Sequence, residues 1–168
     1  QVGPTSIPQT WDWCSGYHAS DSTVIGFSHT HLSGTGIGDL FDITVMPVVG
    51  EVTYARGEEN DPASGLWSYA DRTREITKPG YYSVPLVRYG ITAEMTATAR
   101  VGLHRYTFPA SDAAAVVFDL ENGGCWDKAT DTGFRFSDDS TRIAGWRCST
   151  KKKKNQEVYF VAEFSKPA

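Results

Sequence analysis

The sequence predicts an all-β protein, an antiparallel β-sandwich or a β-barrel, with few or no helices. Apolar and polar residues alternate with a period of two in several segments, which is typical of strands. Residues that favour turns separate these segments at intervals of ~8–12 residues. No segment repeats apolar residues at helical spacing over three turns. The length of 168 residues suits a single domain.

The clearest strand lies in residues 91–99, where Ile91, Ala93 and Met95 alternate with threonine and glutamate. The apolar set is expected to face a core and the polar set to face water. The same alternation predicts strands at 40–48 and at 81–87, the second entered through the turn Pro79-Gly80. Shorter strands are expected near residues 24–27, 103–108, 116–120 and 143–148.

Three segments need separate treatment. Residues 158–164 are apolar on both faces, which predicts a strand in the centre of a sheet. Residues 112–120 are ambiguous, because their alanines favour a helix while Val116, Val117 and Phe118 favour a strand. Residues 57–78 are charged and contain glycine and proline, so a loop is expected there.

Composition excludes several classes of function. Twenty acidic residues against 16 basic ones give a net charge of −4, which argues against nucleic acid as a partner. No apolar run approaches the ~20 residues that span a bilayer. The three cysteines, Cys14, Cys125 and Cys148, match no zinc spacing, and the sequence leaves open whether the last two form a disulfide.

The residues best suited to binding are concentrated between positions 11 and 42. Imidazoles and carboxylates supply polar contacts, indoles supply flat apolar faces, and glycines let the backbone approach a ligand. We predict that this set lies at one end of the sandwich and binds the substrate: Trp11, Trp13, His18, His29, His31, Asp39 and Asp42.

Other interpretations of this region are weaker. His29 and His31 would share one face of a strand, as in the metal site of cupins, but no carboxylate follows them at the cupin position. The four aspartates in this region could include an acid–base pair of a glycosidase, although aspartates near turns more often form turns or accept hydrogen bonds. A Cys14–His18 thiolate pair has no residue that would orient the imidazole.

Long stretches of the chain resemble the N-terminal domain of family 92 glycoside hydrolases. The resemblance extends over nearly the whole chain and departs from the family pattern at Phe41 and at residues 66–75. It rests on Trp13-Cys14-Ser15-Gly16-Tyr17-His18, Ile25-Gly26-Phe27-Ser28-His29-Thr30-His31-Leu32-Ser33-Gly34-Thr35-Gly36, Lys78-Pro79-Gly80-Tyr81-Tyr82-Ser83-Val84 and Gly102-Leu103-His104-Arg105-Tyr106-Thr107-Phe108-Pro109.

The resemblance implies an exo-acting, calcium-dependent α-mannosidase that inverts configuration and acts on α-mannoside glycans. Residues 1–168 would then be a single, incomplete N-terminal β-sandwich that lacks the family's catalytic (α/α)6 barrel. The catalytic carboxylates and the calcium ligands would belong to that barrel, so no catalytic residue and no metal ligand is expected in this chain. The family also implies a secreted, periplasmic or cell-surface location, although the chain shows no signal peptide.

A non-catalytic module is the competing hypothesis. A β-sandwich without its barrel could bind glycan through Trp11, Trp13 and Trp67, or could serve a purely structural role.

Overall fold

The computed structural model describes residues 17, 21–30, 42–55, 57, 61, 64–122, 128–150 and 156–168. Within these residues every regular element is a β-strand and every strand pair is antiparallel, which confirms the predicted class. The described ranges contain no helix that could cross a membrane. The strands are β1 (Thr23–Val24), β2 (Thr44–Val49), β3 (Ser68–Tyr69), β4 (Ile76–Lys78), β5 (Tyr81–Leu86), β6 (Ile91–Ala97), β7 (Gly102–Thr107), β8 (Ala114–Asp119), β9 (Lys128–Phe136), β10 (Arg142–Thr150) and β11 (Gln156–Glu163).

The largest sheet is a meander of four strands in the order β4-β5-β6-β7. Its first two turns contain Gly80 and Gly90, whose φ angles of 74° and 63° lie in the left-handed region that glycine adopts without strain. The predicted alternation in β6 is confirmed, since Ile91, Ala93 and Met95 are buried. The strand ends at Ala97, two residues earlier than the sequence suggests.

The core lies between the inner face of this meander and the two-stranded sheet β2-β8. Met46 and Val48 of β2 meet Val84 of β5 and Ile91 of β6 in one cluster of buried side chains. Their burial removes apolar surface from water, which is the main driving force for folding. Phe27, which bridges to Val45, joins this cluster and anchors the segment that contains His29.

The third sheet has the order β11-β10-β9, which corrects one prediction. β11 was expected to be central, but it is an edge strand of the described sheet and β10 lies in the middle. Tyr159 and Val161 of β11 are 70% and 71% exposed. The apolar residues on the outer face of β11 are thus exposed to solvent. Apolar residues on both faces of a strand therefore did not indicate a central position in this sheet.

The structure decides one ambiguous segment, corrects the predicted loop at 57–78 and adds a strand that was not predicted. Residues 114–119 form β8, because their register along β2 supplies the backbone hydrogen bonds that a helix would otherwise make internally. The expected loop at 57–78 contains β3, β4 and the buried side chains of Leu66 and Trp67. β9 was not predicted, since its polar sequence has no clear alternation.

Candidate functional site

A row of three side chains crosses the inner face of the meander near one end. Tyr82 of β5 lies opposite Met95 of β6, which in turn lies opposite His104 of β7. Antiparallel pairing brings directly opposed side chains to the same face. A polar cluster surrounds each end of this row, one at His104 and one at Tyr82. Both clusters contain residues from the segment in which the sequence predicts the binding site.

The first cluster is a hydrogen-bonded chain of two imidazoles and a phenol. The Nε2 atoms of His29 and His104 lie 2.5 Å apart, so one must donate a proton and the other accept it. Nδ1 of His104 lies 2.5 Å from the hydroxyl of Tyr106, which is two residues along β7 and therefore on the same face. Gly102, two residues in the other direction, leaves the space that the ring of His29 occupies.

Burial governs the charge of this cluster. Loss of solvent, with a smaller contribution from the charge of His29, lowers the pKa of His104 to about 4. Burial also raises the pKa of Tyr106 above its ordinary value. At neutral pH His104 is therefore uncharged and Tyr106 is protonated. His104 and Tyr106 then offer neutral hydrogen-bonding groups, which suit the hydroxyl groups of a polar, uncharged ligand.

The second cluster is centred on the carboxylate of Glu75. Tyr82 donates its hydroxyl to Oε1 at 2.6 Å, and Arg72 donates from Nη1 to the same oxygen at 2.6 Å. The hydroxyl of Tyr17 reaches Oε2 at 3.3 Å, and the guanidinium of Arg72 lies over the Tyr17 ring. Burial, followed by the bond to Glu75, raises the pKa of Tyr82. These contacts fix Tyr17, which directly precedes His18.

Asp42 lies in the interior and not on an open rim. Its carboxylate is fully buried, accepts from Nη1 of Arg147 at 2.8 Å, and accepts from the amide of Gln156 at 3.0 Å on each oxygen. The backbone N–H of Asp42 donates to the hydroxyl of Thr30 at 3.0 Å. The residue thus joins both ends of segment 31–41 to the fold. Direct sugar contact by Asp42 stays a prediction, and its burial argues against it.

Most of the other predicted site residues lie outside the described residues. Their clustering therefore stays a prediction for Trp11, Trp13, His18, His31 and Asp39. Trp67, named for the alternative glycan module, is fully buried and cannot offer a face to a sugar. No group of three potential metal ligands occurs in the part of the chain that the structure describes.

Sequence reasoning missed most of the partners in both clusters. The stretches that carry the family resemblance include His104, Tyr106 and Tyr82 but give them no role, and Arg72 and Glu75 lie in a segment expected to be a loop. Contacts between residues this far apart in sequence leave no local pattern. His29 and His104 are 75 positions apart, and Tyr17 and Glu75 are 58 apart. The period of two in β7 was the one available signal, because it places His104 and Tyr106 on a common face.

The fold and sequence both match known proteins. A family GH92 α-mannosidase, BT3965 from Bacteroides thetaiotaomicron, superposes with a TM-score of 0.88 at 38% identity over 97% of this chain. The structure of the same enzyme in complex with mannoimidazole matches over 99% of the chain, with a TM-score of 0.88 and 36% identity. An uncharacterized secreted glycosidase of Arthroderma benhamiae is 31% identical over 102 residues, 58% of this chain.

This chain spans only a fraction of those relatives. It covers 22% of the length of the Bacteroides enzyme and 13% of the Arthroderma protein. The family model for the glycosyl hydrolase family 92 N-terminal domain matches residues 1–168. The chain therefore belongs to the family of glycosyl hydrolase family 92 N-terminal domains.

Proposed function

We propose that this chain is the N-terminal domain of an α-mannosidase and supplies part of the mannose-binding site for hydrolysis of α-mannosidic bonds in glycans. The main support is the TM-score of 0.88 over 97% of the chain with a family GH92 α-mannosidase. Because 22% of that enzyme's length corresponds to this chain, we assign the reaction to a longer protein of which this domain is one part.

The two clusters beside the row Tyr82–Met95–His104 support a binding role. The uncharged imidazole of His104 and the phenols of Tyr82 and Tyr106 are hydrogen-bonding groups that suit the hydroxyl groups of an uncharged sugar. The segment with the predicted ligands is attached to both clusters, through Tyr17 at one end of the row and His29 at the other. We propose that His29 and the predicted residues Trp11, Trp13, His18, His31 and Asp39 contact mannose.

The proton-transfer groups are proposed to lie elsewhere. Glycosidases use two carboxyl groups, one to protonate the leaving oxygen and one to activate water or attack the sugar. Two carboxylates of this region, Asp42 and Glu75, are each paired with a guanidinium in the described structure. Neither is arranged to give or take a proton. We therefore place the catalytic pair in an (α/α)6 barrel that docks at this end of the domain, and expect inversion of configuration.

Calcium is also proposed to bind outside this chain. The described residues do not fit a calcium site, which needs six to eight oxygen ligands, because no group of three candidate ligands occurs among them. When bound to the barrel, the ion would polarise a substrate oxygen as a Lewis acid. We further propose a secreted, periplasmic or cell-surface location, which the description of the Arthroderma relative as secreted supports.

The experiment compares the chain alone with the chain joined to a C-terminal barrel of the family, using an aryl α-mannoside and calcium. Turnover only in the joined protein supports the proposal. Turnover by the chain alone, or by neither protein, contradicts it. Following the anomeric configuration of the first product by NMR tests for inversion.

Adjacent residues on β5 supply a matched control for the binding role. Tyr82 points to the inner face and donates to Glu75, whereas Tyr81 points to the outer face and donates to Glu94 at 2.7 Å. In the joined protein, Tyr82→Phe is expected to raise KM about fivefold through lost support of Tyr17, with Tyr81→Phe unchanged. Equal effects of both substitutions would show that the inner row has no special part in binding.

A further inference from the structure

The outer face of the three-stranded sheet β11-β10-β9 carries two aromatic residues side by side. Trp146 lies in the middle of β10, directly opposite Tyr159 of β11 on one side and Gly133 of β9 on the other. The alternate residues of β10, Ile143 and Arg147, are buried on the inner face. The aromatic pair is therefore on the side of the sheet that faces away from the core.

The indole ring of Trp146 is held flat against the sheet. A Cβ atom at Gly133 would lie 2.5 Å from Cζ2 and Cη2 of the indole, so the ring rests directly on the backbone of β9. Its Nε1–H donates to Oδ2 of Asp131 at 2.7 Å, which fixes the rotation of the ring. Trp146 is half-buried, so part of its ring stays accessible. This gives a rigid, planar apolar surface.

Tyr159 extends this surface across the next strand. Its side chain is 70% exposed, and its hydroxyl donates to Oε2 of Glu157 at 3.0 Å. The indole lies over β9 and the phenol extends from β11, and neighbouring strands are ~4.8 Å apart, so the two rings form an interrupted aromatic strip across the sheet. Val161, which is 71% exposed on the same face, continues the strip along β11.

Hydrogen-bond acceptors flank the strip at one end. Asp131 and Glu157 lie on either side of Cys148, in register with it. Each carboxylate accepts from its aromatic neighbour through one oxygen, and the other oxygen has no hydrogen bond to any described residue. Burial, with the two carboxylates, raises the pKa of the Cys148 thiol, which therefore stays protonated and does not add a charge.

The charge of this face selects a neutral ligand. Three carboxylates, those of Asp131, Glu157 and Glu163, stand against the guanidinium groups of Arg135 and Arg142 on the same face. Lys128, opposite Thr150, is also on this face, so its described residues carry three acidic and three basic groups. These residues leave no basic excess for a polyanion such as nucleic acid or a sulfated glycan. Flat rings beside open acceptors match the two surfaces of a neutral pyranose, its C–H face and its hydroxyl groups.

We propose that this outer face is a second, non-catalytic binding surface for a neutral polysaccharide. Sugar rings would pack on Trp146 and Tyr159 and donate hydroxyl groups to Asp131 and Glu157. The surface is on a different sheet from the row Tyr82–Met95–His104, so it does not depend on mannosidase activity. Its role would be to hold a polymer close to the enzyme that contains the domain.

The test is affinity gel electrophoresis of the full chain with soluble yeast mannan as the first probe and laminarin and xyloglucan as further neutral probes. We expect at least one of them to retard the chain. Trp146→Ala and Tyr159→Ala should each weaken binding to it about tenfold, as for truncation of a central aromatic residue in an interface. Tyr54→Ala is the matched control, because Tyr54 is 71% exposed but lies near Thr132 and Phe134, on the face of β9 opposite the indole.

Two measurements keep the result interpretable. Thermal unfolding of each variant shows whether it is folded, and Tyr159→Ala is expected to be folded because the ring is mostly exposed. In the protein joined to a barrel, turnover of a small aryl α-mannoside should be the same with and without Tyr159→Ala. The proposal is overturned if no neutral polysaccharide retards the chain, or if Tyr54→Ala weakens binding as much as Tyr159→Ala.

Discussion

Asp42 and Arg147 are 105 residues apart in the sequence, yet their side chains form a completely buried ion pair with an oxygen–nitrogen distance of 2.8 Å. The same guanidinium donates from Nε to the backbone carbonyl of Leu120 at 2.7 Å. One arginine in the middle of β10 thus holds the segment before β2 and the segment after β8. The pair connects the region of the candidate site to the sheet that carries the aromatic outer face.

Removing one partner of this pair should destabilise the domain strongly. Asp42→Asn keeps the shape of the side chain but removes the negative charge that Nη1 of Arg147 contacts at 2.8 Å. Removing one partner of a buried ion pair typically costs about 3–5 kcal/mol. Urea unfolding followed by tryptophan fluorescence measures the difference. The control is Glu163→Gln in the Arg142–Glu163 pair, which is 3.6 Å long with side chains 61% and 68% exposed. Such a surface pair should contribute less than ~1 kcal/mol. Similar losses in both variants would contradict the importance of burial.

The histidine pair predicts a specific dependence of stability on pH. His104 is faced by His29, Tyr106 and the ring of Phe27, and its pKa falls from 6.5 to about 4 on folding. Between these values the unfolded chain binds a proton that the folded chain does not, so the free energy of unfolding rises with pH through this window. Acidification from above pH 6.5 to pH 4 should remove about 3 kcal/mol.

Urea unfolding at a series of pH values tests this dependence against His104→Phe. The phenylalanine variant cannot bind the proton in either state, so its stability should change less over the same window. The difference between the two curves gives the contribution of the His104 imidazole alone, because the carboxylates titrate in both proteins. Glu94 is one such carboxylate, whose pKa the Arg105 guanidinium lowers to about 2. Parallel curves for the two proteins would show that His104 titrates normally in the folded state.

Gly102 should be essential for the geometry of the histidine pair. A Cβ atom there would lie 2.5 Å from Cδ2 and Cε1 of His29, so Gly102→Ala must displace the imidazole from His104. We expect the NMR signal of the shared proton to vanish in the variant. Gly80→Ala is the control, because its Cβ would meet no atom within 4 Å and its φ of 74° costs only about 1 kcal/mol. A shared proton that survives Gly102→Ala would contradict the contact.

Calcium should have no effect on the domain by itself. If the family's calcium is bound by a barrel, adding millimolar calcium or EGTA to this chain should leave its Tm unchanged, since a ligand stabilises only the state that binds it. The protein joined to a barrel should lose mannosidase activity in EGTA and regain it when calcium is returned. A rise in the Tm of the chain alone on adding calcium would place a site within residues 1–168.

Local patterns in the sequence were sufficient for the fold class and for most strands. The alternation of Ile91, Ala93 and Met95 identified β6, and Pro79-Gly80 identified the turn before β5, because both signals depend only on neighbouring residues. β9 could not be found in this way. Its polar residues are held in a strand by pairing with β10, which no local pattern records.

The sequence by itself determined the all-β class, the family resemblance and the dense segment that contains His29 and Asp42. Only the tertiary structure separated these two residues, placing one beside His104 and the other in an ion pair with Arg147. It also made β11 an edge strand with an open aromatic face. The physical reason is that burial and partnership arise between strands distant in sequence, whereas a pattern of residues reports only which side of its own strand each one occupies.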